Sequence, residues 1–125
     1  MLRISFHIIH ILLLVNYLYP ASIIGCLFYN DCAIQPDITN DFGISSNHFF
    51  AFLLFGLISF YSYPKKLNKI TIYVLTLSII LEFAHLIIPN REFEIKDLFG
   101  NVFGIIISFI IYSILKKINL GGKNQ

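Results

Sequence analysis

Four apolar runs govern what this chain can fold into. The first extends from about Ile4 to Phe28, the second from Ser46 to Tyr63, the third from Ile70 to Ile88 and the fourth from Leu98 to Leu115. Each is near the roughly 18–20 residues that a helix needs to cross about 30 Å of hydrocarbon. With 57% hydrophobic and 13% charged residues, a soluble chain of 125 residues would leave much apolar surface in water. The expectation is one domain, residues 1–125: an all-α, integral membrane four-helix bundle. His7, His10, Asn16 and Pro20 interrupt the first run, which a span tolerates where they face other helices. Pro64 and Pro89 end the second and third runs.

Lysine and arginine placement sets the orientation. Lys65, Lys66 and Lys69 separate the second and third runs, Lys116, Lys117 and Lys123 follow the fourth, and Arg3 precedes the first. Four spans put all of these on one side, so both termini are expected to be cytoplasmic. The Tyr29–Ser45 loop carries Asp31, Asp37 and Asp41 without a basic residue and is expected outside, as is the Pro89–Lys96 turn. Met1–Cys26 also has the short charged start and apolar middle of a signal peptide. Its length, and the interruptions at Asn16 and Tyr17, favour a retained helix. Cys26 and Cys32 would lie near the outer face, where a disulfide is feasible; the reading favours two free thiols. A net charge of +2 gives no support to a nucleic-acid partner.

Chemistry concentrates in Leu81–Gly104, LEFAHLIIPNREFEIKDLFGNVFG. Glu82 and His85 share a helical face at i, i+3. Asp97, Asn101, Gly104 and Ser108 share another at i, i+4, i+7 and i+11. Arg91 lies in the turn between, and His48 opens the second helix. Ionisable groups within a bundle are costly and are functional candidates. Glu82 is the deepest and either pairs with Arg91 to fix the hairpin or acts with His85 as a general acid or base. Asp97 suits a helix N-terminus. Asn101 is too deep to be a cap and is expected to bond across helices, with Gly104 and Ser108 as small packing residues. His7 and His10 are assigned to packing or headgroup contacts.

A metal site could be drawn from His48, Glu82, His85 and Asp97. The E-x-x-H pattern of di-metal bundles normally appears twice, and here it appears once, so no metal is expected. Nucleophile motifs, phosphate-cradling glycine loops and paired-cysteine ligand sets are missing, and no cofactor is expected. What remains is a small polar pocket with one cation at its mouth, suited to an anionic headgroup. His48, Arg91, Asp97 and Asn101 are its candidate ligand-binding residues, and Glu82 and His85 its candidate catalytic pair.

At these residues the chain resembles the VanZ-like family of small bacterial membrane proteins. Ser46–Phe52 (SNHFFAF) matches its histidine–aromatic helix start, and Glu82–Gly104 its glutamate followed by R-x5-D-x3-N-x2-G at Arg91, Asp97, Asn101 and Gly104. The chain departs from the family pattern at Ile44 and Ser45, where Asp-Lys is common, and at His85, where Gln is common. The resemblance implies a multi-pass protein of the bacterial cytoplasmic (inner) membrane with a cell-envelope role, in a family whose named member is associated with teicoplanin resistance. The expected partners are membrane lipids, lipid-linked envelope precursors or an envelope protein complex. The alternatives are a membrane enzyme acting on such a lipid, or a structural partner of that complex.

Overall fold

In the computed structural model, which describes residues 1–121, the chain forms five α-helices: α1 (Leu2–Leu18), α2 (Ile23–Tyr29), α3 (Ser46–Ser62), α4 (Leu67–Ala84) and α5 (Ile95–Gly121), with a 3₁₀ turn at Pro64–Lys66. No strand occurs among the described residues. Lys123, one of the residues used to assign orientation, lies outside them.

The first apolar run is not one helix. Tyr19 takes an extended backbone (φ −71°, ψ 131°) ahead of Pro20, which disfavours a helical residue before it and offers no N–H. The chain restarts at Ser22, whose hydroxyl accepts the Gly25 N–H, and α2 leaves α1 at 87°. Two helical stretches are long and apolar enough to cross a membrane, Pro64–Ala84 and Ile95–Asn119, or three if the bent α1–α2 pair counts as one. The remaining expected span, the second run, is α3, whose 17 residues rise about 26 Å, short of a typical hydrocarbon core.

Phe52, Phe55, Phe60, Val74 and Ile105 fill the centre, with Phe6 stacked on Phe55 from α1. The surface around this core is apolar too. Ile4, Ile8, Ile11 and Val15 on α1, Ile80 and Phe83 on α4, and Ile106, Ile110 and Ile114 on α5 are all exposed. A bundle that is apolar inside and out is a membrane protein by its surface. α3 and α5 pack most closely. At Gly104 a β-carbon would run into the Phe49 carbonyl oxygen, and at Gly56 into the Ser108 hydroxyl. The small residues on the Asn101–Gly104–Ser108 face therefore let the two backbones meet.

At one end, Ser62 donates to the Leu2 carbonyl (2.9 Å) and Arg3 lies over the Tyr63 ring. Lys65 and Lys66 are there, and Lys116 covers Tyr112. At the other end, the loop after α2 folds back over the start of α3. Asn47 accepts the Ile38 N–H (2.7 Å) and donates to the Pro36 carbonyl (3.0 Å), and the Ser46 hydroxyl donates to the Thr39 carbonyl (2.7 Å). Asp41 accepts the Ser46 N–H at 3.0 Å, which holds its carboxyl below the usual range with help from Lys96. Cys26 and Cys32 are bonded to each other, against the expectation of free thiols. α2 ends at Asn30 in the left-handed conformation, which returns the chain so that Ser22 N–H reaches the Cys32 carbonyl (2.9 Å) and brings the two cysteines together.

Candidate functional site

The site forms where the end of α1, the start of α3, the end of α4 and the start of α5 converge. Helix α4 closes at Ala84, so Glu82 sits in its last turn and His85 at its cap. The run continues as tight turns, Leu86 N–H to Phe83 and Ile87 N–H to Ala84, until Asn90 reverses it with φ 59°. Helix α5 starts at Ile95, three residues before the expected Leu98, and carries Asp97 in its first turn where the helix dipole favours a carboxylate.

Five of the six expected residues come together. Glu82 is fully buried between two imidazoles: its Oε1 lies 3.4 Å from His85 Nδ1 and its Oε2 3.6 Å from His48 Nδ1. The other ring nitrogen of His48 lies 3.4 Å from Asp97 Oδ2. Asn101, also fully buried, directs its amide oxygen towards His48 Nδ1 (3.2 Å) and its amide nitrogen to the Ser78 carbonyl (3.4 Å). The Glu94 N–H adds a contact to Glu82 Oε1 (3.3 Å). Asn101 and Glu82 Oε1 therefore have hydrogen-bond partners that make their burial tolerable, whereas Glu82 Oε2 has none among the described residues.

The sixth residue, Arg91, is used differently. Its Nε donates to the Tyr19 carbonyl (3.1 Å), and one terminal nitrogen donates to the carbonyls of Asn16 (2.9 Å) and Ala21 (3.0 Å). It caps the broken end of α1, where Pro20 ends the helix and leaves carbonyls without partners. The Glu82–Arg91 pair left open by the sequence does not form, and among the described residues no carboxylate lies within ion-pair distance of the guanidinium. Burial lowers its pKa, and the negative groups around it oppose that fall; an arginine stays charged at any physiological pH.

Tyr17 joins these groups and was not among the expected site residues. Its hydroxyl donates to Asn101 Oδ1 (2.7 Å) and contacts His48 Nδ1 (2.9 Å), its ring stacks on His85, and its carbonyl lies 3.1 Å from His85 Nε2. The available signal was the break that Asn16 and Tyr17 make in the first apolar run. His10, by contrast, stacks on Phe55 and bonds the Tyr73 hydroxyl (3.0 Å), away from this cluster.

Beside the cluster opens a cleft of about 480 Å³. Its lining includes Arg91, His48, His85 and Asn16, the polar residues Gln35 and Asn47, and apolar residues such as Ile9, Leu12, Phe50 and Leu54. A family model, VanZ/LLP1, matches residues 5–116. The chain belongs to the VanZ/LLP1 family. Comparison with curated proteins and with solved structures gives no match. The matched span of this VanZ/LLP1 chain includes every residue of the polar cluster, from Tyr17 to Asn101.

Proposed function

We propose that this VanZ/LLP1 membrane protein binds an anionic lipid of the cell envelope, or a lipid-linked precursor, at the cleft beside the polar cluster. One observation carries the reading. The Arg91 guanidinium is held by three carbonyls, has no carboxylate within ion-pair distance among the described residues, and lines a cleft whose wall is mostly apolar, with Ser22, Gln35 and Asn47 as further polar residues. A fixed cation at one end and an apolar wall at the other suit a phosphate headgroup with its chain. In this reading Arg91 holds the anion, and His48, kept in place by Asp97 and Asn101, lines the cleft beside it. The lysine-rich end is cytoplasmic, and the cleft opens to the outer leaflet of the inner membrane. The same reading covers glycopeptide (teicoplanin) resistance through the handling of cell-wall precursors.

A second reading rests on Glu82 Oε2, a buried oxygen without a hydrogen-bond partner: the protein is an enzyme on that lipid, with Glu82 and His85 exchanging a proton. The test compares envelope lipids and lipid-linked glycans by mass spectrometry in cells making the wild-type, Arg91→Ala or Glu82→Gln chain at matched membrane abundance. Loss of a co-purifying anionic lipid with Arg91→Ala is the expected result. A substrate that accumulates only with Glu82→Gln favours the enzyme. Unchanged lipids with both variants stably inserted would sink both readings and leave a structural role in an envelope complex.

A further inference from the structure

The hydrogen atoms of the polar cluster can be counted. A backbone carbonyl only accepts, so His85 Nε2, 3.1 Å from the Tyr17 carbonyl, carries the ring proton. In the neutral ring Nδ1 then presents a lone pair to Glu82 Oε1 at 3.4 Å. Asn101 donates its amide nitrogen to Ser78, so its oxygen is the acceptor for the single Tyr17 hydroxyl proton. That leaves His48 Nδ1 to donate towards Tyr17, and in the neutral ring His48 Nε2 presents a lone pair to Asp97 Oδ2 at 3.4 Å. Among the described residues Glu82 Oε2 has no hydrogen-bond partner. The cluster is therefore rich in lone pairs that face one another, and it holds two carboxylates without a lysine or arginine against them.

We infer that His48, Glu82 and Asp97 form a binding site for one divalent cation of the zinc or manganese type. The three offer one ligand atom each, all within 4.8 Å of one another. Ligands at about 2.0–2.2 Å from a shared ion stand roughly 3–4 Å apart, so closure needs only a small side-chain movement. Two carboxylates balance the charge of a divalent ion, and one imidazole with carboxylates suits zinc or manganese. The surroundings already orient the ligands. The Glu94 N–H donates to Glu82 Oε1 and leaves Oε2 free, and Tyr17 and Asn101 hold His48 at Nδ1. Asp97 is partly exposed and supplies the entry path. The imidazole comes from α3, across the bundle, so the single Glu82-x-x-His85 pattern that argued against a di-metal site does not bear on this one. With an ion on Oε2, Glu82 is a ligand and no longer a free acid or base.

The site stands apart from the lipid reading, because the probe is the metal alone. The full chain, purified in detergent and stripped with EDTA, is incubated with zinc or manganese chloride and desalted. Bound metal is counted by mass spectrometry, and thermal unfolding is followed by circular dichroism. About one ion per wild-type chain is expected, with a raised melting temperature. Asp97→Asn and Glu82→Gln should each weaken binding at least about tenfold, and the exposed Glu92→Gln should bind as wild type does. Asp97→Asn is isosteric and partly exposed, so it keeps the test valid if Glu82→Gln does not fold. A folded wild-type chain that retains neither ion overturns the proposal, as does Asp97→Asn with wild-type affinity.

Discussion

Both ends of the bundle carry ionisable side chains, and they differ in how deeply some of them are buried. At the end that holds Arg3, Lys65, Lys66 and Lys116 the charges lie at the surface, some over tyrosine rings. At the other end Glu82, His85 and Asn101 are buried, and His48 and Asp97 nearly so. Long basic side chains reach water from the edge of an apolar body at little cost and serve to orient it. A buried carboxylate between two imidazoles has no such escape and persists only because its neighbours are arranged around it. Charged side chains thus sit at the surface at one end and are enclosed by neighbours at the other, and depth makes the difference.

The sharpest way to break this contrast is Asn101→Leu. It removes the acceptor of the Tyr17 hydroxyl and the donor to Ser78 while both stay buried, so a loss of about 2–3 kcal/mol is expected. Reversible unfolding in mixed micelles measures it, and a change below about 0.5 kcal/mol would mean the network is not cooperative. A smaller effect is expected from acid at the loop over α3. The Ser46 N–H, and after it Lys96, depress the Asp41 pKa in the folded chain. Its contribution is therefore complete above the ordinary carboxylate range and is lost as pH falls through the lowered folded value. Asp41→Asn should flatten that part of the stability profile, and an unchanged profile would remove Asp41 from the account. The smallest effect belongs to the basic end. Lys65→Gln with Lys66→Gln should move stability by less than about 0.5 kcal/mol and act only on orientation, read by cysteine accessibility from either side of the membrane.

Much of this arrangement was legible as polar residues interrupting apolar runs. Glu82, Asp97 and Asn101 stood out because hydrocarbon offers them nothing, and the i, i+4, i+7, i+11 spacing put Asp97, Asn101, Gly104 and Ser108 on one face, which meets α3 at Gly104 and Ser108. Tyr17 did not stand out, since a tyrosine near a membrane interface is ordinary and its value lies in contacts with residues up to 84 positions away. The position of Arg91 in a turn was legible and its partners were not. It binds carbonyls, which every residue has and no sequence distinguishes. Pro20 was visible, but whether a proline bends a helix or ends it depends on what satisfies the freed carbonyls. Here that is a side chain 70 residues further on.

That distance has a consequence for how the protein is made. The turn after α1 is completed by a residue synthesised 70 positions after Ala21, which at roughly 5–20 residues per second is about 4–14 s of translation. Until then the carbonyls of Asn16, Tyr19 and Ala21 need water or lipid headgroups. The nascent first segment therefore waits near the interface in a provisional conformation, and it takes its final shape only when the end of α4 has been inserted beside it.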